Sequence, residues 1–118
     1  MQLQYLRHDL NRYFYPNDAC TTRGWLSKIG IALTTQGIWA TVVYRLRRWA
    51  GYECRPRFLR KLLAPFGVLL GLMMDIIAGI HIEPEIDIGP GLYIGHFGGI
   101  ILGGRTTIGK FANISHGV

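Results

Sequence analysis

Cysteine is scarce in this sequence, which limits the kinds of site it can build. Among its 118 residues only Cys20 and Cys54 are cysteines, and neither belongs to a CxxC or Cys/His pattern. Disulfide-stabilised small folds and cysteine zinc sites need several cysteines at short, regular spacing. Both classes are therefore excluded, and we expect two reduced thiols, as in a cytoplasmic protein.

Acidic residues are also few, seven against thirteen lysines and arginines, for a net charge of +6. The high hydrophobic content excludes a disordered chain. Seven basic residues form a stripe between positions 45 and 61: Arg45, Arg47, Arg48, Arg55, Arg57, Arg60 and Lys61. This stripe predicts either a solvated face or a surface for lipid headgroups or cofactor phosphates. No aromatic residues are interleaved as in nucleic-acid-binding segments, so no nucleic-acid partner is expected.

The N-terminus lacks the apolar core of a secretory signal, since "MQLQYLRHDLNRYF" carries polar residues and a carboxylate there. A second segment, from Leu62 to Ile80, is almost continuously apolar and follows the basic "RPRFLRK". Asp75 opposes a membrane span, because a central aspartate costs about 2.5 to 3.5 kcal/mol. We expect a helix that docks on the fold or on another subunit, with interfacial membrane attachment as the alternative. The predicted location is cytoplasmic, with peripheral membrane association left open.

Apolar spacing predicts three helices within residues 1–79. Leu3, Leu6, Leu10 and Phe14 lie three and four apart, which predicts a helix over 3–14 that ends before Pro16, followed by a loop over 17–24. A second helix is predicted over 36–50, capped by Thr34 or Thr35 and basic on its outer side. Residues 62–78 are expected to be largely helical, with a disturbance near Pro65.

After Gly79 a six-residue repeat replaces the helical spacing. One apolar column contains Ile82, Ile88, Ile94, Leu102, Ile108 and Ile114, and a second contains Ile80, Ile86, Leu92, Ile100, Thr106, Ala112 and Val118. Each column makes one step of eight at the same place. This pattern predicts an α+β chain, with a parallel β-helix of about two coils over 80–118. A plain hairpin series is the alternative, but it would show alternation without the six-residue repeat.

The step of eight inserts two residues into the segment "GHFGG", residues 95–99, so this segment is expected to bulge from its coil. His96 and His116 are twenty residues apart, which places both imidazoles at one corner of successive coils. His81, just ahead in the chain, is expected at the same edge. The sequence therefore predicts an edge with three converging histidines.

Two segments resemble the hexapeptide-repeat acyltransferases, and among them the serine acetyltransferase-like O-acetyltransferases. These are "QGIWATVVYRLRRWA" and "IGPGLYIGHFGGIILGGRTTIGKFANISHGV", and the resemblance covers residues 36–118. It implies a left-handed parallel β-helix, a homotrimer, acetyl-CoA as co-substrate and a hydroxyl-bearing acceptor. It also implies that His96 is the general base. Members of this family have further coils that form the acetyl-CoA groove, so we expect a C-terminally truncated chain with unknown cofactor-binding residues.

Three departures from the family's pattern affect the acceptor. His81 stands where the family has the aspartate that pairs with the base, and Gly95 stands where it has an acidic residue. The Asp-Pro motif has no clear counterpart, although Asp18 lies in its region. His81, Gly95 and His116 are predicted to contact substrate, and Glu83 or Asp87 is expected to orient His96. The pattern favours a saccharide hydroxyl over L-serine, because an α-ammonium group needs a carboxylate partner.

Two other functions remain open from the sequence. His81, His96 and His116 would suit a zinc site like that of the γ-class carbonic anhydrases, although the closely spaced histidine pair of that family is absent. The basic stripe and the apolar run would suit a non-catalytic membrane-peripheral or assembly module.

Overall fold

A computed structural model describes residues 1–14 and 24–118 of the chain. The helices are α1 (Gln2–Phe14), α2 (Trp25–Thr34), α3 (Gln36–Arg48), a π-helical turn (Trp49–Glu53) and α4 (Arg57–Ile77). The strands are β1 (Ile80–Ile82), β2 (Asp87–Ile88), β3 (Tyr93–Ile94), β4 (Ile100–Leu102), β5 (Thr107–Ile108) and β6 (Asn113–Ile114). Asp18, Cys20 and all but the last residue of the predicted 17–24 loop lie outside the described residues. Cys54 is buried and unbridged.

The three predicted helices are confirmed, with shifted ends. α4 begins five residues earlier than expected and continues through Pro65, whose missing amide leaves the Lys61 carbonyl without its helical donor. Helix α2 was not predicted, and none of its residues is buried. Within the described residues, no helix is both long and apolar enough to cross a membrane.

The strands form three parallel pairs, each joining residues twenty positions apart. β1 pairs with β4, β2 with β5 and β3 with β6. Strands β1 to β3 make up the first strand triplet, and β4 to β6 the second. The two predicted apolar columns point inward in the first triplet, where the buried residues are Ile80, Ile82, Ile86, Ile88, Leu92 and Ile94. Ile108 and Ile114, in the second triplet, are only partly buried. The core therefore consists of the first triplet with Ile100 and Leu102 of β4, and Ala40, Tyr44, Met74 and Ala78 of the helical part join it.

Among residues 1–14 and 24–118, no strand covers one edge of the first strand triplet, and side chains of α1 and α3 satisfy its backbone groups. The Tyr44 hydroxyl donates to the Ile86 carbonyl (2.8 Å) and accepts from the Ile88 amide (3.2 Å). The Tyr13 hydroxyl accepts from the Ile94 amide at 2.7 Å. Burial raises the pKa of Tyr13 and of Tyr44, so both hydroxyls stay protonated and able to donate. The helices thus replace the missing neighbouring strand at this edge.

Arg45 is the centre of this contact and is fully buried. Its guanidinium donates to both carboxylate oxygens of Asp9 on α1, and to the carbonyls of Ile88 and Gly89. Asp9 in turn accepts from the amides of Gly91 and Leu92. The prediction that α3 is basic on its outer side is therefore wrong for Arg45. This part of the basic stripe faces inward because the uncovered strand edge needs donors for its carbonyls.

Removing the charge of Asp9 is expected to destabilise the fold far more than the same change at a surface pair. Asp9→Asn should lower the free energy of unfolding by about 3 to 5 kcal/mol, because Arg45 would remain buried without a counter-charge. Asp87→Asn is the matched control. Asp87 pairs with Arg48 at 3.2 Å from a largely exposed position, so its loss should cost about 0 to 1 kcal/mol. Urea unfolding followed by circular dichroism measures both, and equal losses would contradict the assigned role of Arg45.

Candidate functional site

The segment 95–99, called here the corner, projects between β3 and β4 as predicted. Gly98 and Gly99 have φ values of 96° and 65°, in the region that favours glycine. His96 is exposed, and the Phe97 side chain is 57% exposed. The glycines therefore give the chain a turn that leaves the imidazole open to solvent and to a substrate.

Glycines above and below the corner permit close stacking. Gly79, at the end of α4, lies so near that a Cβ there would be 3.1 Å from Gly98 Cα. On the other side, the Gly117 amide donates to the Gly98 carbonyl at 3.3 Å. A side chain at Gly79 would push directly on the corner backbone.

His96 and His116 lie side by side on this stack, as the twenty-residue spacing predicts. Their ring centroids are 5.6 Å apart, and the ring planes meet at 84°. Both side chains are exposed. The corner thus presents two imidazoles to the same region of solvent.

The position of His96 is determined by Ile94, two residues earlier, which α1 and α3 hold. The Ile94 amide donates to the Tyr13 hydroxyl at 2.7 Å, and the Gly95 amide donates to the Ile114 carbonyl at 3.0 Å. On α3, Gly37 packs directly against the Ile94 carbonyl. The base of the corner is therefore fixed on both strand edges while its tip stays open.

His81 does not share the contact between His96 and His116. It lies within β1, in register with Ile101, and its Nδ1 is 3.0 Å from each carboxylate oxygen of Asp75 on α4. Among these three histidines the ring contact therefore joins His96 and His116, and His81 is bonded to α4. Across residues 1–14 and 24–118, no three His, Cys, Asp or Glu side chains are arranged to hold a metal ion.

Neither carboxylate expected to orient His96 does so. Glu83 accepts a hydrogen bond from the Gly104 amide at 2.8 Å, and Asp87 pairs with Arg48. Both expectations are wrong, because each carboxylate is used by the turn or helix nearest to it. Gly95 precedes His96 at the start of the corner and is exposed.

Asp75 is the acidic residue that the sequence reasoning missed. It was considered only as an obstacle to a membrane span, although it is the one acid in the apolar run and lies six residues before His81. Its bonds to Nδ1 leave Nε2 of a neutral His81 as the acceptor nitrogen. The Asp75 carboxylate thus lies beside His81, the residue that stands where the family has its aspartate.

Comparisons with known proteins agree with this geometry. No protein-family model matches the chain. It is 35% identical over 92 residues to the serine acetyltransferase of Helicobacter pylori, covering 78% of this chain and 49% of that protein. It is 32% identical over 113 residues to serine acetyltransferase 2 of Arabidopsis thaliana, covering 96% of this chain and 31% of that protein. The chain thus spans about half, or less, of the curated relatives it matches.

A solved structure shows the same fold. The crystal structure of serine acetyltransferase from Brucella abortus strain S19 matches with a TM-score of 0.68 at 23% identity, over 97% of this chain and 42% of that one. The fold and the corner together define a class of protein. Its members have a helical segment followed by a parallel β-helix, with an exposed histidine at a glycine turn. The sequence relatives support assignment of the chain to the hexapeptide-repeat acetyltransferase family, as the resemblance implied.

The contact between Gly37 and Ile94 predicts that a single methyl group will disturb the corner. Gly37→Ala places a Cβ against the Ile94 carbonyl and 3.0 Å from the Tyr13 hydroxyl, so it should cost about 1 to 3 kcal/mol of stability. It should also shift the NMR signals of His96 and His116. Gly30→Ala on α2 is the control, since no atom lies within 4 Å of its Cβ. Unchanged histidine signals in Gly37→Ala would contradict the link between α3 and the corner.

Proposed function

We propose that this protein is an acetyl-CoA-dependent O-acetyltransferase in which His96 is the general base. The observation that supports it most is the exposed imidazole at the glycine corner of a fold shared with serine acetyltransferase. The family assignment supports an acyltransferase, and the names of the relatives support acetyl-CoA as the acetyl donor. No residue of this chain is assigned to the cofactor.

The proposed reaction begins with proton transfer to His96. An alcohol is a poor nucleophile until a positioned base takes its proton as the oxygen attacks the thioester carbonyl. His96 is exposed and its supporting strand is fixed at Ile94, so it can meet an acceptor hydroxyl without moving the fold. His116 lines the same region, where it can contact the acceptor.

The glycine corner also suits the charge that forms during attack. The tetrahedral intermediate carries a negative oxygen, which backbone amides stabilise. Within the described hydrogen bonds, the amides of Phe97, Gly98 and Gly99 donate to no other group. Collapse of the intermediate forms the ester and breaks the carbon–sulfur bond, and the CoA thiolate recovers the proton from the His96 imidazolium. The chemistry therefore needs no metal and returns His96 to its neutral state.

Several finer properties remain part of the proposal. The left hand of the β-helix, its extent of about two coils, the homotrimer and the cytoplasmic location follow from the resemblance or the composition. A non-catalytic assembly module is the competing function, and an assay of acetyl transfer distinguishes it.

The acceptor is proposed as a hydroxyl of either L-serine or a saccharide. The relatives' names favour serine. Gly95 and His81, which stand where the family has acidic residues, favour a saccharide, because a bound α-ammonium group needs a carboxylate. Asp75 weakens that second argument, since its carboxylate lies 3.0 Å from the His81 ring. The remaining support for a saccharide is therefore Gly95.

Alanine substitution of the histidines tests the assigned base. His96→Ala should lower kcat by about two orders of magnitude or more, the range for removal of a general base. His116→Ala should lower it less. His8→Ala, on the exposed surface of α1, is the control and should retain full activity. Release of CoA thiol measures all three, and full activity of His96→Ala would exclude it as the base.

The acceptor is tested by assaying the wild-type protein with L-serine and with a panel of saccharides. We expect a higher kcat/KM for a saccharide hydroxyl, because Gly95 provides no carboxylate for an α-ammonium group. A Gly95→Asp variant should then improve serine turnover relative to the saccharide. Efficient turnover of L-serine by the wild type would refute the saccharide preference, and no transfer to either acceptor would favour the assembly module.

A further inference from the structure

Helix α4 exposes an apolar face that no other described part of the chain covers. Its inner face packs on the core through Gly71 and Met74, which are buried. The opposite face carries a stripe of apolar side chains, called here the outer stripe: Phe58, Leu62, Pro65, Leu69, Leu72 and Ile76. Phe58 and Ile76, at its two ends, are 78% and 84% exposed. A helix that is apolar on both faces normally has a partner on each of them.

The outer stripe is long and wide. From Phe58 to Ile76 it spans about 27 Å along the helix. Val68 and Met73 lie on either side of it and are also exposed, so the apolar face is broader than a narrow helix-pairing seam. Uncovered apolar surface of this extent marks an interaction site.

The same surface continues into a groove between α3 and α4. This groove has a volume of about 170 Å³, and its walls are almost entirely apolar. Its lining includes Leu46, Trp49, Ala50, Leu63, Phe66 and Leu70. The helix surface therefore offers both an exposed ridge and an adjoining apolar recess.

Positive charge is concentrated at the N-terminal end of the outer stripe. Arg55, Arg57 and Lys61 are exposed, and among residues 1–14 and 24–118 none of them has an acidic partner. Lys61 lies between Phe58 and Leu62, on the stripe itself. The only acid on α4 is Asp75, which bonds to His81. The exposed face of α4 is thus apolar and cationic, with no negative charge.

A second copy of this chain is a poor partner for the outer stripe, because few of its acidic residues are free to pair with the exposed cations. Asp9, Glu53, Asp75, Glu83 and Asp87 all have partners within the chain. Glu85 is exposed, and Asp18 lies outside the described residues. A pair of α4 helices would bring Lys61 against another cation or against apolar side chains, which costs free energy. A negatively charged surface with an apolar interior meets both features at once.

We propose that the outer stripe of α4 lies on an anionic lipid surface. Phe58, Leu69 and Ile76 would enter the boundary between headgroups and acyl chains, as in other interfacial helices. Arg55, Arg57 and Lys61 would contact the anionic headgroups. The inner face of α4 stays packed on the core, so the helix rests on the surface and the fold remains intact. This proposal does not depend on the acetyltransferase activity.

Vesicle sedimentation of the purified protein tests the proposal without an activity readout. The vesicles contain either phosphatidylcholine alone or equal parts of phosphatidylcholine and phosphatidylglycerol. We expect binding to the mixed vesicles and little binding to phosphatidylcholine. Added salt should weaken this binding, because it screens the contribution of the cations.

Two double variants separate the apolar and the cationic contributions. Phe58→Gln with Ile76→Gln should weaken binding by more than about tenfold, since two exposed apolar anchors are lost. Arg57→Gln with Lys61→Gln should weaken it by roughly thirtyfold. All four side chains are exposed, so both variants should keep the wild-type circular dichroism spectrum.

Matched controls carry the same changes on other surfaces. Leu3→Gln with Ile101→Gln removes two exposed apolar residues, and Arg105→Gln with Lys110→Gln removes two exposed cations. Both should bind like the wild type. Absence of binding, equal binding to the two vesicle types, or equal losses in the controls would overturn the proposal. So would self-association that the Phe58 and Ile76 changes abolish in a protein that does not bind vesicles.

Discussion

The buried ion pair between Arg45 and Asp9 is the interaction on which the rest of this structure depends. Its physical origin is a strand edge that no described strand covers, where peptide groups would otherwise lose water without gaining a partner. Arg45 supplies donors to two carbonyls at that edge, and Asp9 accepts from two amides. The two side chains satisfy the edge only as a pair, because either alone would be an isolated buried charge. Helices α1 and α3 are therefore attached to the strands by polar contacts as well as by apolar packing.

The candidate site depends on the same attachment. Tyr13 and Gly37 hold Ile94 from the helical side, and β6 holds it from the strand side. His96 follows two residues later, on glycines that add no packing of their own. The exposed imidazole can thus keep a defined position because the backbone at Ile94, two residues earlier, is held on both sides. The same reasoning explains why Asp75 can fix His81, since α4 ends only a few residues before β1.

Spacing in the sequence predicted the parts of this fold that are governed by periodicity. The six-residue columns, the shared step of eight and the proximity of His96 and His116 all follow from regular strand pairing. The inward position of Arg45 could not be predicted, because a charge pattern along a helix indicates an exposed face unless the neighbouring surface is known. For the same reason the contact between His81 and Asp75 could not be predicted. Asp75 lies on a helix whose end had to be located first.

The two proposed surfaces of the molecule lie close together at the end of α4. Ile76 ends the outer stripe, and Gly79, three residues later, lies against Gly98 of the corner. A lipid surface beneath the stripe would therefore lie near the corner that carries His96. An acceptor hydroxyl attached to a membrane component would gain from that proximity, whereas a freely diffusing amino acid would not. The position of α4 thus connects the proposed acceptor preference to the proposed lipid contact, while each can still be measured separately.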